Sequence, residues 1–253
     1  MKKAVVLLSG GLDSSTCAAI AKNEGFEIFA VSFCYGQRHC VEINSAKKIA
    51  ESFSVKEHKI INIDTGVFQN NSLTDDIEVP KNRVAASTGS ATEETTETAE
   101  IKDYSVAEIV EAAEVPNTYV PARNTLFLSY ALAIAESIGS QDIFIGITAV
   151  DYSGYPDCRP DYIEQFQKMA NLATKTGREG NPIIIHTPLL NLSKAEIIKK
   201  GSALGVKYEL THSCYCPTAD GLSCGDCDSC IHRKKGFADA GISDPTRYNF
   251  QIN

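Results

Sequence analysis

The chain has 253 residues, of which 43% are hydrophobic and 22% charged, and its formal net charge is -8 at pH 7. This composition is typical of a globular protein long enough to bury a full core. Because sequence-independent binding of nucleic acid depends on Lys and Arg that neutralise phosphates, the acidic balance predicts no nucleic-acid partner. The chain has no apolar run of membrane-spanning length and no room for a secretory signal before its first strand, so we expect a cytoplasmic protein without a membrane partner.

The most informative segment reads SGGLDSS and occupies residues 9–15. It follows an apolar run, residues 4–8, that predicts a strand, and it precedes a run, residues 16–21, that predicts a helix. Two glycines allow a tight turn close to a ligand, and a helix start presents free N–H groups to an anion. The Walker and dinucleotide-binding spacings are both absent. A tight turn with serine caps is the alternative interpretation, but the complete segment favours binding of a nucleotide phosphate.

This segment resembles the PP-loop of ATP pyrophosphatases, which hold the pyrophosphate end of ATP and cleave between the α and β phosphates. The resemblance implies that ATP is a substrate. Asp13 would either hold Mg²⁺ or fix the loop. The residues expected to bind ATP are Leu8, Ser9, Gly10, Gly11, Leu12, Asp13, Ser14 and Ser15.

Predicted strands and helices alternate along the rest of the chain, which predicts an α/β fold with an open, mostly parallel sheet and helices on both faces. Ligands of such sheets bind outside the carboxyl ends of the strands. We expect one α/β domain over residues 1–205 and a small C-terminal metal-binding segment over residues 206–253, packed on that domain. The predicted strands are 27–34, 59–63, 142–147 and 182–186; the predicted helices are 38–53, 123–138, 162–174 and one that Ser193 and Glu196 open as a capping box.

Residues 85–115 interrupt this alternation. They are rich in Thr, Ala and Glu, with few large apolar residues before Ile101. We interpret the segment as an acidic loop insertion with a short helix over residues 106–113. Its negative charge would repel ATP, so we assign it no catalytic role.

Five of the nine cysteines lie between Cys214 and Cys230. Cys224, Cys227 and Cys230 form two successive Cys-x2-Cys steps, and a fourth thiolate would complete a closed tetrahedral Zn²⁺ site. Spacing does not choose between Cys214 and Cys216 as the fourth ligand. Because four thiolates leave no open position for water, we interpret the metal as structural. Reduced buried thiols and a redox pair are the alternatives.

Three further loops are rich in polar and aromatic residues. They cover residues 35–39, 119–124 and 151–159, and each lies at the end of a predicted strand or the start of a predicted helix. Because these positions share one edge of the predicted sheet with residues 9–15, we expect the loops to converge on one cleft.

Together, five segments resemble the 7-cyano-7-deazaguanine synthase family and follow the order found in that family. The family converts 7-carboxy-7-deazaguanine, ammonia and ATP into the nitrile, a precursor of queuosine, and therefore acts as a ligase that forms carbon–nitrogen bonds. It uses a bound zinc and is commonly homodimeric. The segments read SGGLDSST at 9–16, SFCYGQRH at 32–39, VPARN at 120–124, DYSGYPDCR at 151–159 and SCY…CGDCDSC at 213–230.

The resemblance also implies residue roles. It matches Cys214 with the first zinc ligand and matches Cys216 with none. The implied zinc ligands are Cys214, Cys224, Cys227 and Cys230. The chemistry of the family's reaction makes Arg123 and Lys194 candidate cations for the departing pyrophosphate, although Lys194 could instead be an exposed lysine in a first helical turn. The candidate catalytic residues are Asp13, Arg123 and Lys194, and the candidate substrate-binding residues are Tyr35, Arg38, Arg123, Asn124, Asp151, Tyr155, Asp157 and Arg159.

The chain departs from the family pattern at two places. Cys34 stands where the family usually has Asp, and residues 85–115 are longer than the family requires. A thiol at position 34 removes a charge near the nucleotide or the acid substrate. Three other functions stay open at this point: a PP-loop transferase that thiolates tRNA, a zinc-ribbon binding module, and an ammonia ligase that stops at the amide.

Overall fold

The computed structural model describes residues 1–35, 41–68, 71–74, 77–81, 115–149 and 154–249. Within these ranges, five parallel strands form one sheet in the order β3-β2-β1-β4-β5. The predicted open parallel sheet is confirmed. The strands are β1 (Lys3–Leu7), β2 (Glu27–Cys34), β3 (Glu57–Asn62), β4 (Asp142–Phe144) and β5 (Ile184–His186).

Seven α-helices lie in the described ranges. Short 3-10 turns occur as well, among them Pro156–Cys158 and Tyr208–Leu210. Within these ranges, no helix combines the length and the apolar character needed to cross a bilayer. The helices are α1 (Leu12–Asn23), α2 (Val41–Phe53), α3 (Arg123–Ile138), α4 (Pro160–Ala173), α5 (Lys175–Arg178), α6 (Lys194–Ala203) and α7 (Asp228–Ala240).

The core consists of two apolar clusters, one on each face of the sheet. Successive side chains of a strand point to opposite faces. On β1, Ala4 and Val6 accordingly pack with α1, α2, α6 and α7, whereas Val5 and Leu7 pack with α3 and α4. Burial on both faces explains why β1 is a continuous apolar run rather than an alternating one.

The predicted elements occur in the predicted order, with shifts at their ends. The bounds of β2 and α3 are as predicted. β3 begins and ends slightly earlier than expected, and β4 ends at Phe144 instead of residue 147. α2 begins at Val41, and the residues before it, 36–40, lie outside the described ranges. The predicted helix at 106–113 also lies outside them.

The capping box at the start of α6 is confirmed. The Ser193 hydroxyl accepts a hydrogen bond from the Glu196 N–H at 3.3 Å, and the Ser193 N–H donates to Glu196 Oε2 at 2.8 Å. These bonds satisfy donors that the first turn of a helix leaves without partners. They fix Lys194 as the first residue of α6.

The C-terminal segment shares the core of the α/β sheet. Val206, Tyr208 and Phe237 belong to the same apolar cluster as Ile197 and Ile198 of α6. A third buried cluster contains Cys214, Cys227 and Cys230 together with Val79.

Candidate functional site

The glycine-rich turn lies between β1 and α1, at the carboxyl end of the central strand. The sequence predicts a helix after residue 15, but α1 begins at Leu12, so Asp13, Ser14 and Ser15 occupy its first turn. Gly11 is the N-cap and has extended dihedral angles, φ -80° and ψ 170°. First-turn N–H groups have no acceptor within their own helix, and the helix dipole favours an anion there. The turn therefore offers the backbone donors that a pyrophosphate group requires.

Gly10 is required by its surroundings. Its φ is +82°, and a Cβ at this position would lie 2.5 Å from the Ala46 nitrogen and 2.6 Å from the Glu42 oxygen of α2. The backbone of α2 thus supports the turn from behind. Leu8 and Leu12 are buried in the core, so any contact of theirs with ATP would use backbone atoms.

The three serines of the turn have different environments. The Ser9 and Ser14 hydroxyls lie 3.0 Å apart, and Ser9 is exposed. Ser15 is fully buried, and its hydroxyl donates to the Gly11 carbonyl at 2.8 Å. Ser9 is therefore the hydroxyl on the open side of the turn. Ser14 is buried beside it, and Ser15 stabilises the turn from the core side.

Asp13 and Lys194 form an ion pair that joins the turn to α6. Lys194 Nζ lies 2.9 Å from Asp13 Oδ1 and 3.0 Å from Asp13 Oδ2. The Lys194 side chain is 16% exposed and the Asp13 side chain is 31% exposed. On α7, a Cβ at Gly236 would lie 2.4 Å from Lys194 Cγ, so this glycine leaves the space that the lysine stem occupies. Lys194 is thus a partly buried cation beside the turn.

Gly146, which was not among the predicted site residues, lies against the first turn of α1. A Cβ at Gly146 would lie 3.0 Å from the Asp13 carbonyl carbon and oxygen and 3.1 Å from Ser14 Cα. This close approach follows directly on β4, which ends two residues earlier than residue 146. A glycine inside an otherwise apolar predicted strand is the sequence signal for such an approach.

Residues before the cysteine cluster hold the turn from its other side. The His212 N–H donates to the Gly10 carbonyl at 2.9 Å. Tyr208 and Thr16 share a buried hydroxyl–hydroxyl hydrogen bond at 2.8 Å. His212 and Tyr208 were not among the predicted site residues, because neither a backbone hydrogen bond nor a hydroxyl pair between distant residues leaves a local sequence pattern.

Arg233 of α7 organises the same segment. It is 3% exposed and donates to the Thr211 hydroxyl at 2.8 Å and to the Tyr208 carbonyl at 3.1 Å. Its charge is balanced by Asp244, 3.2 Å away. A buried arginine that is ion-paired and hydrogen bonded in this way fixes the path of residues 208–211, which lead to Cys214.

Arg123 lies in an aromatic environment. Its Nη1 donates to the Tyr35 hydroxyl at 3.2 Å, and the centre of its guanidinium lies 6.0 Å from the Tyr35 ring and 5.8 Å from the Phe127 ring. Arg123 Nε is buried and has no hydrogen-bond partner within the described part of the chain. The guanidinium therefore keeps donor capacity for a bidentate anion such as a carboxylate.

Asn124 and Asp157 bind each other at the start of α3. Ala122, the N-cap, is left-handed with φ 51° and makes no side-chain cap. Instead Asp157 Oδ2 accepts from the Asn124 N–H at 2.9 Å, and Asn124 Nδ2 donates to the Asp157 carbonyl at 3.3 Å. Asp157 is 5% exposed, and burial raises the pKa of its carboxyl above its ordinary value although the Asn124 N–H lowers it. The observed partner of this carboxylate is thus a helix N-terminus.

Tyr155 connects the Arg123 region to the cysteines. Its hydroxyl lies 2.8 Å from the Thr118 hydroxyl, and Tyr215 is hydrogen bonded to it. Burial, followed by the nearby Tyr155, raises the pKa of Tyr215 well above its ordinary value. Tyr215 directly follows Cys214 but was not among the predicted site residues.

The remaining predicted residues lie at the margin of this region or outside the described ranges. Arg159 is paired with the exposed Asp161, with Nε 3.5 Å from Oδ1. Arg38 and Asp151 lie outside the described ranges. Cys34 is the last residue of β2 and is half-buried, which places it at the strand-end edge as expected.

Four of the cysteine sulfurs fit one metal ion. Those of Cys214, Cys224, Cys227 and Cys230 all lie within 4.8 Å of one another. The Cys214–Cys224 distance is 3.4 Å and the Cys224–Cys230 distance is 3.9 Å. A tetrahedral zinc ion with Zn–S bonds of about 2.3 Å has sulfurs about 3.8 Å apart. Cys216 lies 3.5 Å from Cys224 and groups with Cys224 and Asp226 instead.

Comparison with known proteins decides the family. Residues 3–241 match the family model described as "Queuosine biosynthesis protein QueC". The chain belongs to the QueC family. Relatives named 7-cyano-7-deazaguanine synthase include those of Desulfatibacillum aliphaticivorans, 56% identical over 98% of this chain and 97% of the relative, and Paramagnetospirillum magneticum, 53% identical over 98% and 99%. Among solved structures, an NMN synthetase from Francisella tularensis has a TM-score of 0.46 at 16% identity. The match covers 96% of this chain and 78% of the synthetase chain. The QueC match agrees with the resemblance found in the sequence.

Proposed function

We propose that this chain converts 7-carboxy-7-deazaguanine and ammonia into 7-cyano-7-deazaguanine at the expense of ATP, as a carbon–nitrogen ligase of queuosine biosynthesis. The observation that carries the proposal is the full-length similarity to relatives of that name, at 51–56% identity. The glycine-rich turn beside Lys194 supports the ATP-dependent part of the reaction. Arg123, in its aromatic surroundings, supports the recognition of a flat acid.

The chemistry requires two uses of ATP. A carboxylate is a poor electrophile, so transfer of AMP to its oxygen gives an acyl adenylate and releases pyrophosphate. Ammonia attacks the acyl carbon, and AMP leaves to give the amide. A second transfer of AMP to the amide oxygen makes that oxygen a leaving group. Loss of AMP and of both amide protons then gives the nitrile.

Each adenylation builds negative charge on the departing pyrophosphate. In this proposal the first-turn N–H groups of α1 and the hydroxyls of Ser9 and Ser14 stabilise that charge, since donors that are fixed before the reaction stabilise a transition state most effectively. Lys194 supplies a nearby cation, and Asp13 holds it in place. Mg²⁺ accompanies ATP as a counter-ion of its phosphates.

The acid substrate fits the region around Arg123. The guanidinium would bind the substrate carboxylate, and Tyr35 and Tyr155 would lie against the deazapurine ring. Asn124 and Asp157 would act by fixing the start of α3. Three further substrate contacts are proposed from the sequence motifs alone: Arg38, Asp151 and Arg159.

Three further properties belong to the proposal. The metal is Zn²⁺, one per chain and structural, because the four-thiol donor set leaves no position for water. The protein is a cytoplasmic homodimer. Exposed apolar side chains on α3 and on the edge strand β3, Tyr130 and Ile60, are consistent with a partner surface. Light scattering of the purified protein tests the dimer.

The reaction itself is tested by mass spectrometry of the products formed from 7-carboxy-7-deazaguanine, ammonium, Mg²⁺ and ATP. We expect the products to be the nitrile, AMP and pyrophosphate. Amide as the final product would identify an ammonia ligase instead, and no turnover would overturn the enzymatic proposal. Omission of ammonium provides the control, since it must stop the reaction at the adenylate.

A further inference from the structure

The cysteine cluster contains one thiol more than a tetrahedral site requires. Cys216 lies 3.5 Å, sulfur to sulfur, from Cys224, one of the four cysteines that fit a metal ion. Nothing in the proposed reaction uses it. Both side chains are half-buried rather than enclosed, so a small solute can reach them.

A turn holds these two cysteines opposite each other. The Gly221 N–H donates to the Thr218 carbonyl at 2.9 Å, and the Thr218 N–H donates to the Leu222 carbonyl at 2.9 Å. Gly221 has a φ of +78°, which suits the turn. Cys216 lies two residues before Thr218, and Cys224 lies two residues after Leu222, so the two cysteines occupy matching positions on the two sides of the turn. The closeness of the two sulfurs is therefore a product of the backbone.

An ion pair, Lys81 with Asp226, lies beside both thiols, and an Asp226 carboxylate oxygen lies within 4.8 Å of the two sulfurs. Lys81 Nζ is 3.2 Å from Asp226 Oδ2, and Cys216 and Cys224 both interact electrostatically with the lysine. Lys81 also forms an isolated antiparallel bridge with Cys227, which holds the 77–81 segment over the cluster.

We propose that Cys216 and Cys224 form an oxidation site, at which a peroxide links them as a disulfide and so removes one ligand from the metal. The peroxide oxidises one thiol to a sulfenic acid, with cleavage of the O–O bond and release of water. The other sulfur then displaces the hydroxyl group, which leaves as a second water. Two thiols and one hydrogen peroxide give one disulfide and two waters.

The consequence is a reversible loss of the metal. Three remaining thiolates make an incomplete tetrahedral site, and a metal of this kind contributes directly to folding. Reduction by a thiol restores Cys224 as a ligand. The inference rests on the proposed zinc but not on the proposed reaction.

To test this proposal, the full-length, zinc-loaded protein is treated with hydrogen peroxide, and the zinc released is measured with a chromogenic chelator. Peptide mapping by mass spectrometry identifies the disulfide. We expect a bond between Cys216 and Cys224, zinc release with the same time course, and recovery of bound zinc after a thiol reductant and Zn²⁺ are added. Cys216→Ser should bind zinc normally but release it several-fold more slowly.

Cys34→Ser is the matched control, because Cys34 is also half-buried but lies outside the cluster. It should release zinc like the unaltered protein. Equal release rates for Cys216→Ser and the unaltered protein, or a disulfide that joins another pair, would overturn the inference. Product analysis of the reduced enzyme is independent of these readouts, so failure of the proposed reaction is distinguished from failure of the oxidation site.

Discussion

Lys194 Nζ contacts both carboxylate oxygens of Asp13, at 2.9 and 3.0 Å, although the two residues lie on different helices. The pair connects the first turn of α1 with the first residue of α6. Both helix N-termini carry partial positive charge, so the Asp13 carboxylate lies where the dipoles favour an anion. This arrangement keeps a lysine close to the turn while its charge is balanced by a carboxylate.

Removal of the lysine should impair catalysis more than folding. In the proposed reaction, Lys194→Ala eliminates a cation beside the developing pyrophosphate charge, and loss of one such group typically costs about 10²-fold in kcat. The pair is partly exposed, so its loss should cost only about 1 kcal/mol of unfolding free energy. Steady-state assay of AMP release and denaturant unfolding measure the two effects. Lys199→Ala, which removes an exposed lysine of the same helix, should change neither, and equal defects in both variants would contradict the assignment.

The close packing of Gly10 predicts a large loss of stability on substitution. Gly10→Ala requires a left-handed alanine, which costs about 1–2 kcal/mol, and it must also displace α2, which costs about 1–3 kcal/mol more. Gly25→Ala provides the control, because Gly25 has a similar φ of +86° but no neighbour within 4 Å. Urea unfolding of both variants separates the two costs. A Gly10→Ala variant no less stable than Gly25→Ala would show that α2 yields to the added methyl.

Asp157 should behave as a buried cap whose stability contribution depends on pH. Burial raises its pKa in the folded state above the ordinary value of 3.8. A carboxyl of this kind stabilises the fold fully below its unfolded pKa and loses that contribution as pH rises through the folded pKa. The unfolding free energy of the unaltered protein, measured relative to Asp157→Asn, should therefore fall as pH increases from below 4.

Asp157→Asn keeps an oxygen that can accept from the Asn124 N–H, whereas Asp157→Ala does not. The alanine variant should lose about 0.5–2 kcal/mol, the usual cost of a missing helix cap, and the asparagine variant much less. Unfolding at neutral pH compares them. If both variants are as stable as the unaltered protein but bind the acid substrate poorly, the main role of the carboxylate is to contact the substrate and not to stabilise α3.

Arg123 should be sensitive to conservative substitution. Arg123→Lys keeps the charge but loses the planar, forked donor set that binds a carboxylate at two points. Loss of a hydrogen bond to a charged group costs about 1.5–3 kcal/mol, so KM for the acid should rise roughly 10- to 100-fold, with KM for ATP little changed. Arg178→Lys, at an exposed arginine of α5, is the control. A rise in KM for ATP instead would assign Arg123 to the nucleotide.

The metal site should depend on Cys214 and not on Cys216. Cys214→Ser and Cys230→Ser should each abolish stoichiometric zinc and lower the thermal midpoint, because structural zinc contributes directly to folding. Cys216→Ser should retain about one zinc ion per chain. Elemental analysis of the purified variants gives the result, and zinc loss only in Cys216→Ser would reverse the ligand assignment.

The sequence allowed the sheet, the order of its strands along the chain and the capping box at Ser193 to be predicted, because these features depend on local periodicity and nearby side chains. The glycine-rich turn and the cysteine pattern were equally visible as short motifs. The start of α1 was predicted too late, since polar serines and an aspartate conceal a first helical turn that is stabilised by its position after β1.

Contacts between distant segments were not predictable in the same way. The Asp13–Lys194 pair, the Asn124–Asp157 cap and the backbone bond from His212 to Gly10 each join residues that are far apart in the chain. Such contacts depend on how the helices pack on the sheet. Gly146 is the partial exception, because a glycine in an apolar run signals a close backbone approach before the neighbour is known.

Helix α7 carries Cys230 near its start and Gly236 beside the Lys194 stem. At 1.5 Å per residue, these positions are about 9 Å apart on one rigid rod. The angle at which the cysteines anchor this rod therefore sets how much room the lysine has beside the glycine-rich turn. A redesigned protein that replaces the four cysteines with an apolar cluster would have to reproduce that angle, or it would remain folded and lose the correct reach of Lys194.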